Sequence, residues 1–206
     1  MKQQRARNEP LSINFWPSIT DFSLIVVLIL ILLIFAQIVS NTEAFKLQRI
    51  RDKQEAVKSL ILQAVGEDRI ADITFSNAFE TQYISFADNI LFRPARAVLQ
   101  RKGIELLDAV GNTLNENSDL FESIQIAGHT DKQPISTSRF SSNWELSSAR
   151  ATAVVKHFDE DLKMNPENIP MSAVGYSKYR PVDSDDTPEA YAKNRRIEMM
   201  IIYNAD

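Results

Sequence analysis

No cysteine occurs among the 206 residues, which excludes a disulfide framework, a thiolate metal site and a cysteine nucleophile. Two histidines are too few for a usual zinc site. Five glycines, and no G-x-x-x-x-G-K run, leave no P-loop. A basic excess is also missing. The 23 Lys+Arg against 27 Asp+Glu give a formal net charge of −4, and the pI near 5.3 argues against a nucleic-acid partner. These absences do not suit a soluble metabolic enzyme, and we expect no enzymatic activity, no cofactor and no metal. The length allows one ordinary domain with appendages.

The charges that are present avoid one region. Between Glu9 and Glu43 the only charged residue is Asp21, and Phe22–Val39 is apolar apart from Ser23 and Gln37. As a helix this run reaches about 27 Å, close to the hydrocarbon thickness of a bilayer. It is longer than a signal-peptide core, and Ser40-Asn41-Thr42-Glu43-Ala44 is a poor cleavage site. Residues 15–40 are therefore expected to form a single retained transmembrane helix. Trp16-Pro17-Ser18 suits an interfacial helix start. Asp21 has two readings. It begins the helix at headgroup level, or it is enclosed among partner helices, where an intramembrane carboxylate is costly and functional by default.

Residues 41–66 read as an amphipathic helical linker with apolar residues at Phe45, Ile50, Val57, Leu60, Ile61 and Ala64, the later of them on one face, for a partner helix or dimer or for the chain's own domain. From residue 70 to 206 short strands and helices alternate. Strands are expected at Ile70–Phe75, Gln82–Phe86 with an extension at Asn89–Phe92, Ile124–Ala127, Met171–Tyr176 and Arg196–Tyr203. One helix opens at Pro94 and runs to Leu114, with Val98 and Leu99 inward. A second begins at the capping box Ser142-Asn143-Trp144-Glu145 and runs to Leu162. Lys178–Asn194 reads as irregular. We summarise the order as β-α-β-α-β-β, an α/β sandwich whose helices cover one face of a mixed sheet.

Three segments carry the chemistry. Gly128-His129-Thr130-Asp131 leaves a strand end, Asn143-Trp144-Glu145-Leu146-Ser147-Ser148-Ala149-Arg150-Ala151 opens a helix, and Asn194-Arg195-Arg196-Ile197-Glu198 enters the last strand. A carboxylate, a guanidinium and an amide in one region suit a zwitterion: Asp131 for an ammonium, Arg150 as a two-pronged clamp for a carboxylate. His129 and His157 read as packed histidines, since no metal or nucleophile partner accompanies them.

The pattern G-H-T-D, S-N-W-E-L-S-x-x-R-A and V-G-Y-S…P…N-R-R-I-E resembles the OmpA-like peptidoglycan-binding domain, in particular its MotB branch. The resemblance implies that Asp131 and Arg150 hold the zwitterionic end of diaminopimelate in a peptidoglycan stem peptide. Asn143 and Leu146 match the element beside them, Thr130 contributes backbone contacts, and Arg195 matches a position more often structural than ligand-touching.

Phe15-Trp16-Pro17-Ser18-Ile19-Thr20-Asp21-Phe22 likewise resembles the start of MotB-type stator helices, whose aspartate carries protons or sodium ions. The usual flagellar Tyr before the Asp and Met-Thr after it are replaced here, and the W-P-S-x-x-D form is nearer to MotB-like subunits outside flagella, including ZorB of Zorya anti-phage systems. The resemblance implies a homodimer inside a pentameric ring of multi-span MotA/ZorA-like subunits, ion transport through Asp21, and a wall-anchored C-terminal domain. Residues 1–14 would then be cytoplasmic and the domain periplasmic, on a bacterial inner membrane. The Lys/Arg count, three before the span and five among Lys46, Arg49, Arg51, Lys53 and Lys58 after it, points the other way, although a long translocated domain weakens that rule. The alternatives are a flagellar stator subunit and a passive peptidoglycan anchor of an envelope or secretion complex.

Overall fold

The structure, a computed structural model, describes residues 16–204, with side chains from Asp21 onward. Expectations for the tail 1–14 and for the side chains of Trp16-Pro17-Ser18 lie outside the described residues. The chain divides between Phe45 and Lys46 into two compact units.

Helix α1 is Trp16–Val65. In the first unit every described side chain, Asp21 to Phe45, is exposed. The most apolar stretch has a mean hydropathy of 3.2 and nothing in it is buried. A water-soluble surface helix would carry a polar stripe opposite an apolar one. This segment is apolar all round, and by length and composition it can cross a membrane.

In the second unit, β1 (Ile73–Ala78) and β2 (Thr81–Ala87) form a hairpin. They are followed by a short α2 (Asp88–Leu91), α3 (Arg101–Glu116), β3 (Ser123–Gly128), α4 (Asn143–Lys156), β4 (Met171–Gly175), α5 (Pro188–Asn194) and β5 (Arg196–Ile202). The five strands lie in the order β1-β2-β5-β3-β4. All neighbours are antiparallel except β3 and β4, a parallel pair whose connection runs through α4. Alternation puts Ile84 and Phe86, Ile124 and Ile126, and Ile197, Met199 and Ile201 on one buried face. There they join Leu106, Leu107, Val110 and Leu114 of α3 and Val154 of α4 in a single core. The mixed sheet, with its principal helices on one face, is the expected sandwich.

Of the two readings open for 41–66, packing on the chain's own domain holds for the larger part. From Lys46 onward α1 belongs to the folded unit. Ile50, Val57, Ile61 and Val65 enter the same core, each aliphatic side chain contributing roughly 1.5–3 kcal/mol of burial before ordering costs. The buried Gln54 lies on the same stripe. Its side chain donates to the Phe79 carbonyl at 3.0 Å, while its own carbonyl accepts from Gln82 Nε2 at 2.9 Å. Tyr203 Oη donates to Gln82 Oε1 at 2.7 Å and closes the network. The apolar face is therefore taken by the chain's own sheet, while Phe45 stays exposed.

Other boundaries move as well. Residues 67–72 form a 3₁₀ turn and the first strand begins at Ile73. Two strands precede the first long helix, as the individual strand readings have it and the summary order β-α-β-α-β-β does not. Asp88–Leu91 is helical rather than extended, and α3 starts at Arg101, not Pro94. The Gln100 N–H is held by the Leu91 carbonyl at 3.0 Å, and an isolated bridge joins Phe92 to Leu99, so Pro94 sits in a closed loop and Val98 is exposed. Helix α4 ends at Lys156 and continues as a π-helical turn, His157–Asp161. The irregular stretch before β5 contains α5, which Thr187 caps by accepting from the Ala190 N–H at 3.2 Å, with Pro188 in its first turn.

Candidate binding site

The site forms where α4 crosses the ends of β3 and β4. Gly128 and Gly175 are register partners there, and a Cβ on Gly128 would lie 2.1 Å from the Ser147 carbonyl oxygen, one on Gly175 2.2 Å from Ser148 Oγ. Glycine at both strand ends lets the helix backbone touch the sheet. Ser147 fastens the contact by accepting the Ser177 N–H at 3.1 Å. The capping box is present in altered form: Ser142 Oγ accepts from the Glu145 N–H at 3.3 Å, but Glu145 reaches back to the Ser141 N–H at 2.7 Å and hydroxyl at 2.6 Å. These bonds hold the Glu145 carboxyl below its usual range.

This packing opens a cavity of about 370 Å³ lined by Thr130, Asp131, Asn143, Leu146, Arg150 and Arg195, together with Asp88 and Phe92. All six residues expected in the domain's site therefore meet at one cavity. Within the cavity the acids and arginines are already paired with one another. Asp131 is bonded not to Arg150 but to Arg195, whose Nη1 donates to Oδ2 at 2.6 Å. Its other oxygen accepts the Gln133 N–H at 3.0 Å. Arg150 is 2% exposed; its Nη1 lies 2.7 Å from Asp88 Oδ1, its Nε donates to the Arg96 carbonyl at 2.8 Å, and its guanidinium lies 5.3 Å from the centre of the Phe92 ring.

Asp88 is the site residue that the sequence reading missed. Its signal is an acid two residues after the expected strand Gln82–Phe86 and just before the expected extension Asn89–Phe92, a position to which the sequence reading gives no role. The Asp88 carboxylate meets Arg150 off the N–H direction, so Oδ1 has close ionic contact yet no hydrogen bond. Burial pushes its pKa up to about 6, against the opposing pull of Arg150 and then Arg195. The cavity thus carries two carboxylates and two guanidiniums, each acid paired with one arginine.

Asn143 holds the loop, donating to the carbonyls of Gln133 at 2.9 Å and Asp131 at 3.3 Å. Thr130 Oγ1 donates to the Asp131 carbonyl at 2.9 Å, and its N–H is taken by the Ser177 carbonyl at 2.9 Å. Leu146 and Phe92 supply apolar wall. Asn194 accepts the Val182 and Asp183 N–H groups at 2.8 and 3.1 Å, pinning the preceding loop and presenting Arg195. Arg196 turns away to Glu198, at 3.5 Å.

His129 is 1% exposed, lies 5.4 Å from Tyr176 between ring centres, and is held below its usual pKa chiefly by burial, although Glu198 sits 3.5 Å away. His157 is buried between Asp108 and Asp161, each 2.8 Å from one ring nitrogen, which ties α3 to the turn after α4. Among the described residues no group of three or more His, Cys, Asp or Glu could hold a metal ion.

Comparison with known proteins places this geometry. The OmpA family matches residues 91–195, about half of the chain and all of the site except Asp88. The chain belongs to the OmpA family. The chain is 32% identical over 153 residues to Motility protein B of Bacillus subtilis (strain 168), a match covering 74% of this chain. The chain spans 57% of that relative's length. Among solved structures, the cell wall anchor of the T6SS from Pseudomonas aeruginosa is 26% identical with a TM-score of 0.58, covering 66% of this chain and 93% of that one. A putative MotB-like protein from Desulfovibrio vulgaris shares the fold, with a TM-score of 0.68 at 20% identity, over 77% of this chain and 96% of that one.

Proposed function

We propose that the OmpA-like domain binds peptidoglycan, taking the zwitterionic end of a diaminopimelate side chain into the Asp131–Arg150 cavity. The observation that carries this reading is the alternation of Asp88, Arg150, Asp131 and Arg195 around one half-apolar cavity. An arriving α-ammonium and α-carboxylate can exchange places with these internal pairs without leaving a buried charge unmatched. Asp131 receives the ammonium, Arg150 the carboxylate. The test is retention of the full-length protein on purified sacculi. Asp131→Asn should lower binding about a hundredfold, as expected when one partner of a desolvated charge pair is lost; unchanged retention would overturn the reading.

With the apolar first unit, this binding supports a single-pass inner-membrane protein with its domain on the periplasmic side and residues 1–14 cytoplasmic. We infer further that the chain is the stationary, stator-type subunit of an ion-driven motor, working as a dimer within a ring of MotA-like multi-span subunits. Asp21, the lone acid of the span, is the proton or sodium carrier. The W-P-S-x-x-D start favours a Zorya-type defence complex over a flagellar one. A second reading, a passive wall anchor, is favoured by the likeness to the T6SS cell wall anchor. In that case Asp131→Asn matters and Asp21→Asn does not.

A further inference from the structure

A second cleft, of about 440 Å³, lies beside the first and is lined by Arg93, Arg96, Arg101 and Arg139 with Val98 and Leu99; no acid lines it. Arg101 is partly neutralised by Glu105 at 3.0 Å. Arg93, Arg96 and Arg139 have no carboxylate within ion-pair distance among the described residues, and all three are exposed. Four guanidiniums gathered in one cleft oppose the chain's net charge of −4.

The backbone adds to the same field. The cleft lies at the N-terminus of α3, whose cap, Gln100, makes no side-chain capping bond and whose first turn contains no acid. Gln100 turns its amide away, to the carbonyls of Asn89 and Ile90. The free N–H groups and positive dipole end therefore face arginines rather than the usual carboxylate. Like charges assembled on the positive end of a helix weaken the fold locally, a breach of helix electrostatics that marks functional sites. An anion resolves it.

The two clefts share one strip of chain. Phe92, Pro94 and Ala95 line the first, while Arg93 and Arg96 line the second. The Arg96 carbonyl also accepts from Arg150 Nε. A ligand leaving the Asp131 cavity along this strip meets arginines next.

We propose that the arginine cleft is an anion subsite, holding the free carboxylate of the same stem peptide whose zwitterionic end fills the neighbouring cavity. This rests on the wall-binding reading. Guanidinium forks accept carboxylate and phosphate alike, so the test separates those sources. Full-length protein in detergent is titrated with diaminopimelic acid, with the tripeptide L-Ala-γ-D-Glu-diaminopimelate, with that tripeptide amidated at the glutamate carboxylate, and with inorganic pyrophosphate. Wild type should prefer the free-acid tripeptide over the amidated one by about tenfold, the scale of one charge-assisted contact. The triple variant R93Q/R96Q/R139Q should lose that preference and keep its affinity for diaminopimelic acid, with a thermal midpoint no lower than wild type's. A preference surviving in the triple variant, or absent from wild type, overturns the carboxylate subsite. If wild type ignores diaminopimelic acid altogether, the wall-binding reading fails instead. Pyrophosphate then decides the cleft alone: binding lost in the triple variant supports an anion site fed by a phosphate-bearing polymer, and equal or no binding overturns it.

Discussion

The two units treat charge in opposite ways. Residues 21–45 show their apolar side chains outward, and between Asp21, ahead of the longest apolar run, and Glu43 there is no other charge. From Lys46 on, apolar side chains turn inward and the buried charges come in pairs: Asp88 with Arg150, Asp131 with Arg195, Arg196 with Glu198. The same physics explains both. A side chain faces the medium that solvates it, so an outward apolar surface calls for lipid or partner helices and an inward one for water outside. A lone charge in the first setting and a paired charge in the second then carry different meanings. Under the proposed function, the pairs Asp88–Arg150 and Asp131–Arg195 exchange with a ligand, while the single carboxylate takes up and releases an ion.

The sharpest way to break this contrast is Asp21→Asn. It removes the span's only charge while preserving size, and we expect complete loss of motor-dependent function, measured as phage protection or motility of a complemented strain. Co-purification of the ring subunits and wall binding should remain. Retained function would leave Asp21 as a helix-start residue and the chain as an anchor.

Next in size is Gly128→Val. Any Cβ there collides with the Ser147 backbone, so α4 must leave the sheet, at a cost of more than about 3 kcal/mol. Denaturant unfolding should register this in the domain, while membrane integration of the first unit, measured by alkaline extraction, is unaffected. A smaller and more direct comparison uses one kind of truncation in both halves of α1. Ile61→Ala, wholly buried, should destabilise the domain by about 2–5 kcal/mol; Leu28→Ala, exposed in the first unit, should leave domain unfolding unchanged. Equal effects would refute the assignment of the two halves to different surroundings.

The legible parts of the sequence were those with local signals. The apolar run, the Ser142-x-x-Glu145 cap, the strand Ile124–Ala127 and the three site segments are each continuous in sequence, and all fall near their expected places. What escaped depends on tertiary context. The face of α1 includes Gln54, whose side chain is satisfied by the Phe79 carbonyl in the β1–β2 turn, while Gln82 of β2, itself bonded by Tyr203, meets its backbone carbonyl. No periodicity count marks a glutamine as core. The pairing within the cavity escaped for a similar reason: Arg150 and Asp131 look complementary in sequence, but Asp88, 62 residues before Arg150, takes the guanidinium first. Helix α5 was missed although Thr187-Pro188 is a helix-start signal, because the acidic run before it resembled a loop.

Asp88 leads to the smallest and most specific prediction, which pits an internal anion against an external one. A ligand carboxylate and the Asp88 carboxylate compete for Arg150. With a pKa of about 6, raised from 3.8 mainly by burial, Asp88 is largely ionised at neutral pH and holds the guanidinium. As pH falls from about 7.5 to about 5, Asp88 takes up a proton and frees Arg150, while the α-carboxylate of a diaminopimelate ligand stays charged. Affinity for that ligand should therefore rise with acidity, by about tenfold per pH unit at most, and Asp88→Asn should bind at neutral pH as wild type does at about pH 5, with a flat profile between. The sign for stability is set by the same shift. Below about pH 4 folded and unfolded chains are both protonated at this group; between about 4 and 6 the folded state keeps a proton that the unfolded chain has released. The contribution of Asp88 to stability is thus fully present at low pH and falls away as pH rises through 6, so neutral conditions weaken the fold and the ligand grip together. Isothermal titration and denaturant unfolding across that range measure both. A wild-type profile as flat as that of Asp88→Asn would show that Arg150 is not contested by its own chain.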